Sequence, residues 1–192
     1  MKDQAEAPAT ETATAKRVKW TIDPAHSEIQ FKVKHLMITT VTGSFQKFDA
    51  DIEVLGDDLS TAKVEFWADV NSITTNNEQR DAHLKTADFF NSEKNAKISF
   101  TATGAESVDH DGSWTLRGDL TMNGITKAVK LDVEWGGVVK DPFGNTKAGV
   151  SVHGKINRAD WGINFNAALE AGGVMLSDEV RIACEVQLVK QG

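Results

Sequence analysis

The sequence predicts an all-β protein of eight antiparallel strands with one short helix. Three observations carry that prediction. Apolar and polar residues alternate with period two in eight separate runs, the mark of strands buried on one face. Short turn sequences separate the later runs, which favours antiparallel neighbours over parallel crossovers. One stretch, residues 74–90, departs from the alternation.

The runs follow in chain order. Ile29, Phe31 and Val33 alternate with Gln30 and Lys32, and Phe48, Ala50, Ile52 and Val54 with Asp49, Asp51 and Glu53. Val41 to Phe45 reads as a lead into the second run. Val64, Phe66, Ala68 and Val70 form the third run, and Ile98, Phe100 and Ala102 the fourth. The fifth is Trp114, Leu116, Gly118, Leu120 and Met122, and the sixth is Val129, Leu131, Val133 and Trp135. The seventh runs Ala148, Val150, Val152, Gly154, Ile156, and the eighth Val180, Ile182, Cys184, Val186, Leu188. Asp111-Gly112 and Asn123-Gly124 are strong hairpin dipeptides. In Asp141-Pro142-Phe143-Gly144-Asn145, Pro142 is placed to start a turn and Gly144 to take positive φ. Gly56-Asp57-Asp58 ends the second run.

Within residues 74–90, Thr75 and Glu78 have capping-box spacing, which places a helix start near Asn76. Leu84 and Phe89 or Phe90 give that helix a modest apolar anchor over one end of the strands. A second helical turn is expected at Asn166–Ala171, ahead of Gly172-Gly173. Residues 1–17 are charge-balanced and rich in Ala, Thr and Glu. With almost nothing apolar to bury, they read as a disordered leader, and 18–192 as a single domain. The leader lacks the apolar h-region of a signal peptide. It fits a spacer left behind an export signal, hence a periplasmic protein; a native cytoplasmic N-terminus is the alternative.

Strands with one polar face must hide the other, in a two-sheet sandwich or a closed barrel. Small residues recur on the apolar side: Ala50, Ala68, Ala102, Gly118, Ala148, Gly154 and Cys184. Facing a barrel centre they leave space; alternatively they mark bulges and bends.

Composition narrows the function. With 192 residues and 40% hydrophobic content the chain has material for one substantial core. A net charge of −7 repels phosphate backbones, so nucleic acid is not an expected partner. No run approaches the ~20 apolar residues of a transmembrane helix. One cysteine, Cys184, excludes an internal disulfide and a cysteine-rich metal site. Five histidines are scattered without ligand spacing, so no metal is expected, and no cofactor either: there is no phosphate loop, no GxGxxG and no G-x-S-x-G elbow.

Four segments carry a resemblance: WTIDPAHSEIQFKVKHL (20–36), NNEQRDAHLKTADFF (76–90), GDLTMNGITKAVKLDV (118–133) and KDPFGNTKAGVSVHGKINRADWGINF (140–165). Together they resemble the YceI-like family of lipid- or polyisoprenoid-binding proteins. The most specific blocks are Arg80, Asp81, His83, Leu84, Asp88 and Phe89, and Leu120, Thr121, Asn123, Gly124, Thr126 and Lys127. The resemblance implies a lipocalin-like, eight-stranded antiparallel barrel. It also implies one long apolar ligand along the axis (a polyisoprenoid, an isoprenoid quinone, or a fatty acid or amide), a periplasmic setting and no enzyme activity.

Such a barrel suits such a ligand physically. A nine-residue strand spans about 30 Å. Burying ~20 methylenes at ~0.8 kcal/mol each gives about 16 kcal/mol, against ~4–15 kcal/mol for association and ordering. Phe31, Val33, Phe66, Ala68, Phe100, Leu120, Met122 and Val152 are the expected wall, each of which core packing alone would also explain. Met122 and Met175 add adaptability if they face the ligand. Trp161 either closes one end of the cavity or packs there. Arg80 and His83, three apart on one helix face, are candidates for a polar head group. The competing reading pairs Arg80 with Asp81, Asp88 or Glu78 and has His83 cap a backbone carbonyl. Three functions follow from these residues: a non-catalytic lipid carrier first, an enzyme acting on a lipid-like substrate with Arg80, His83 and an acidic neighbour as acid–base groups second, and an interaction module with a filled barrel third. An exposed edge between first and last strands would support a homodimer.

Overall fold

In the computed structural model the described residues are 15–192. They form eleven strands and one α-helix: β1 Arg17–Ile22, β2 Glu28–His35, β3 Thr39–Phe45, β4 Phe48–Leu55, β5 Asp58–Asp69, β6 Ile73–Thr74, α1 Glu78–Leu84, β7 Lys97–Ser107, β8 Ser113–Met122, β9 Ile125–Lys140, β10 Thr146–Asn157 and β11 Leu176–Lys190. The leader expected over 1–17 lies mostly outside the described residues; its last member, Arg17, opens β1.

Eight of these strands close a ring. β1 pairs with β4, and antiparallel pairing runs on through β5, β7, β8, β9, β10 and β11. β11 returns to β1 at Trp20↔Lys190 through Ile22↔Leu188. The molecule is therefore a barrel and not a sandwich. The lower part of β11 instead pairs with β2, from Glu185↔Glu28 to Leu176↔His35. β2 carries β3, which carries β6. The edge between first and last strands, the basis expected for a homodimer, is closed by the β1–β11 pairing.

Several local expectations are corrected. Residues 41–45 do not lead into the second run; they belong to β3, paired with β2 from His35↔Thr39 to Ile29↔Phe45. The chain reverses at Leu36 and Met37, whose φ values are +51° and +59°. β1 lies outside the eight runs although Val18, Trp20 and Ile22 alternate; only five residues separate the leader from the Asp23-Pro24 break. At α1 the cap is Asn77, whose side chain accepts from the Arg80 N–H at 2.9 Å. Residues 166–171 form no helix. An Ala168↔Val174 bridge makes a small hairpin there, with Gly172 and Gly173 at positive φ. Asn123-Gly124 does form the two-residue turn joining β8 and β9, both residues at positive φ.

The small residues divide in two. A Cβ on Gly118 would meet the Phe100 ring, and one on Gly154 would meet Leu131. These glycines make room for neighbouring side chains, not for a ligand. Among the described residues no helix is long and apolar enough to cross a membrane.

Candidate functional site

The inward faces of the strands enclose one elongated cavity of about 460 Å³, within the usual ~300–1,000 Å³ of ligand sites. The barrel is not filled. At the upper end Trp20, Val54, Ala148 and Leu188 form a buried cluster, and Trp20 meets Trp135 edge-on at 6.1 Å. At the lower end the cavity reaches α1 and the segment after β10.

Phe31, Val33, Phe66, Ala68, Phe100, Leu120, Met122 and Val152 all contribute to its wall, as do Ala50, Cys184 and Met175. Trp161 does not. It is 2% exposed and packs in the core with Val70, Phe89 and Ile163. Its indole N–H donates to the Leu120 carbonyl at 3.0 Å, and its own carbonyl accepts from Asn123 Nδ2 at 3.0 Å. This locks the segment after β10 against the β8–β9 hairpin.

Arg80 and His83 also line the cavity at the α1 end, each with a protein partner. Arg80 Nε donates to Thr75 Oγ1 at 2.7 Å and Nη2 to the Thr75 carbonyl at 2.8 Å. The Thr75 N–H and hydroxyl both donate to Asp81 Oδ1. Asp81 thus fixes Thr75, and Thr75 fixes Arg80. Arg80 Nη1 has no protein acceptor among the described residues. His83 Nε2 lies 2.8 Å from Asp88 Oδ2, with its ring edge-on to Phe89 and Phe165 at 5.1 and 4.8 Å. The anticipated partners of Arg80 and His83 were different ones, because i,i+1 and i,i+5 relations on a short helix do not reveal which loop atom folds back.

One wall residue was not singled out from the sequence. Arg158 directly follows β10, is 5% exposed and borders the cavity. Its Nε donates to the Ser177 carbonyl and its Nη1 to the carbonyls of Ile163 and Phe165. Nη2 has no hydrogen-bond partner and stands 3.6 Å from Asp178 Oδ1. Burial pushes the guanidinium below its ordinary pKa, and Asp178 opposes that shift. A cation at the end of an apolar alternation was the available signal. His35 and Thr75 complete the polar part of the wall.

Among the described residues no carboxylate lines the cavity, although the whole chain carries −7. Cys184 faces the same space, and burial raises its thiol to about 11. At neutral pH it is a neutral, weakly nucleophilic wall atom.

Known proteins share this architecture. A YceI-like domain is matched over residues 20–188. A UPF0312 protein of Staphylococcus aureus strain MSSA476 is 45% identical over 170 residues, covering 88% of this chain and 95% of that protein. The Campylobacter jejuni YCEI protein is 33% identical, with a TM-score of 0.71 over 89% of this chain and 97% of that one. Burkholderia cenocepacia BcnA shares the fold at 17% identity, with a TM-score of 0.75 over 86% and 98% of the two chains. A polyisoprenoid binding domain from Saccharophagus degradans also shares it, at 13% identity and a TM-score of 0.62 over 90% and 98%. With the matched domain spanning nearly all of the barrel, the chain belongs to the YceI-like family.

Proposed function

We propose that this protein binds and carries one long-chain apolar molecule, of isoprenoid or fatty-acyl type, inside the barrel without transforming it. One observation carries the reading: an elongated cavity whose wall is apolar along its length and polar only near α1 and Arg158, with His35 on the adjoining strand. A chain of methylenes gains there by burial alone, and weak methylene discrimination makes for a tolerant binder. The polar head of the ligand lies at the α1 end, where Arg80 Nη1 and the buried Arg158 Nη2 are donors without a hydrogen-bond partner among the described residues. The partners of Arg80 and His83 hold them as fixed binding groups, which suits a carrier better than an acid–base pair. The Saccharophagus degradans domain, named for polyisoprenoid binding, supports the ligand class. On this reading the protein works outside the cytoplasm, and cell fractionation tests that setting.

The test is organic extraction and native mass spectrometry of protein purified from its own host. The expected result is one co-purifying long-chain molecule per protein, exchangeable for an added isoprenoid and recovered unaltered. Empty protein that takes up no added lipid overturns the reading. Recovery of a chemically altered lipid replaces the carrier by an enzyme.

A further inference from the structure

The outer wall of the barrel sorts its charges along the strand axis. Arg117 stands opposite Lys130, Lys155 opposite Arg181, and Arg181 opposite Lys32. The β9–β10 register, carried two residues past His153↔Asp132, sets Lys130 beside Lys155. Five cations on five consecutive strands thus form one row. They alternate with the cavity-lining Leu116, Leu131, Ile156, Val180 and Phe31, so they face outward.

The next outward row upward is Asp132, His153, Ala183 and Gln30. The row above that is Glu134, Ser151, Glu185 and Glu28, about 13 Å from the cations. Like charges directly opposite each other cost stability. Lys32, Lys130 and Lys155 have no ion pair among the described residues, while Arg117 and Arg181 have exposed partners in Glu106 and Glu179 at 3.4 and 3.3 Å. The outward row between these cations and the lower end of the barrel carries Asp119 and Glu179, and Glu78, Asp81 and Asp88 stand on and after α1 at the same end, so the cations are one band among mixed charges.

An apolar rim lies beyond the row, at the same end. Leu36, Met37, Ile38 and Val174 are 37%, 55%, 76% and 40% exposed. They form one ridge, because the Leu36 N–H donates to the Met175 carbonyl at 2.7 Å. Leu36 and Met37 hold positive φ, where Asn or Gly would be less strained. The neighbours of the ridge, His35 and Met175, line the cavity.

We propose that this end of the barrel docks on an anionic lipid bilayer, the ridge entering the acyl boundary while the row of cations faces the head groups. A thin apolar wedge beside a flat cationic arc matches a bilayer surface, and the acidic row points the opposite end away from it. The ligand cavity then ends against the membrane. Docking does not depend on the cavity being occupied.

The experiment is vesicle flotation of the full chain with phosphatidylcholine alone and with phosphatidylcholine containing phosphatidylglycerol, at low and high salt. Binding is expected only to the anionic vesicles and is lost at high salt. Lys130→Gln with Lys155→Gln should weaken it about thirty-fold, at ~1 kcal/mol per cation. Ile38→Ser should weaken it about tenfold through lost apolar burial. Co-purifying lipid should be unchanged in these exposed variants, and the melting temperature should hold or rise, because removing two neighbouring like charges relieves repulsion. Equal binding to neutral vesicles, full binding by the variants, or no binding to either vesicle overturns docking. None of those outcomes touches the carrier reading, which is decided by whether lipid is recovered from the cavity and whether it is recovered unaltered.

Discussion

The ring of Phe100 occupies the space where Gly118 would carry a side chain: a Cβ there would stand 2.4 Å from Phe100 Cζ and 2.5 Å from the Thr101 carbonyl oxygen. Phe100 on β7 pairs with Leu120 on β8, and Ala102 with Gly118, so the aromatic ring lies across the strand pair against the glycine. Gly118→Ala should therefore cost about 1–3 kcal/mol, through overpacking against backbone as well as ring. Urea unfolding checks this. An unchanged midpoint would show that the strand pair yields easily.

Filling the cavity should separate binding from folding. Val152 lines the cavity and is only half-buried, so Val152→Trp can extend its ring into open space. We expect ligand uptake to fall at least tenfold with the melting temperature held or raised. Fluorescent fatty-acid displacement and a thermal melt, run side by side, give both numbers. Retained uptake would mean that the ligand lies elsewhere.

The role of Arg80 and His83 can be read from ligand chemistry. Arg80→Ala and His83→Ala should each weaken binding of a fatty carboxylate about tenfold, a charged hydrogen bond being worth ~1.5–3 kcal/mol. Binding of a chain of the same length without a head group should not change. Equal loss for both ligands, with a lowered melting temperature, assigns the two residues to holding α1 in place.

Stability should respond to pH at both limits. The hydrogen bond from His26 to Asp23, helped by the Ala25 N–H and Lys147 and opposed by burial, holds that carboxyl below its usual 3.8. A depressed carboxyl stabilises above its unfolded pKa and loses that contribution as pH falls through its folded value. Asp23→Asn should flatten the acid limb of the melting curve below about pH 4. Cys184 behaves oppositely. Burial raises its thiol from 9.0 to about 11, so its contribution is full below pH 9 and is lost as pH rises to about 11. The amount is roughly 2–3 kcal/mol. Cys184→Ala should remove that alkaline slope, measured as the difference from the parent protein.

Much of the architecture was legible because alternation is a local consequence of half-burial. Every one of the eight runs falls in a strand, save that Val70 of the third lies just past the end of β5, and Asn123-Gly124 turns the chain where its composition says it should. The misreadings have local causes as well. Leu36-Met37-Ile38 carries no turn chemistry, so the β2–β3 hairpin was invisible. Asn166–Ala171 has helical composition, but Asn166 takes its bonds elsewhere: its side-chain oxygen accepts from the Leu176 N–H and its amide donates to the Leu176 carbonyl. At the site, the apolar wall could be read from strand parity. Arg158 could not, because the three carbonyls it binds come from segments that meet only in the folded chain.

The sequence by itself determined eight of the strands, their inward faces and the single helix, since each depends on residues within a few positions of one another. Tertiary structure alone decided that the sheet closes through β1 and β11, that Phe100 and Leu131 claim the space beside two glycines, and that five cations from five strands fall into one row. Those outcomes depend on register between residues as much as 170 positions apart in sequence, as Trp20 and Lys190 are. Alternation fixes which face a residue takes, but not which neighbour it will meet.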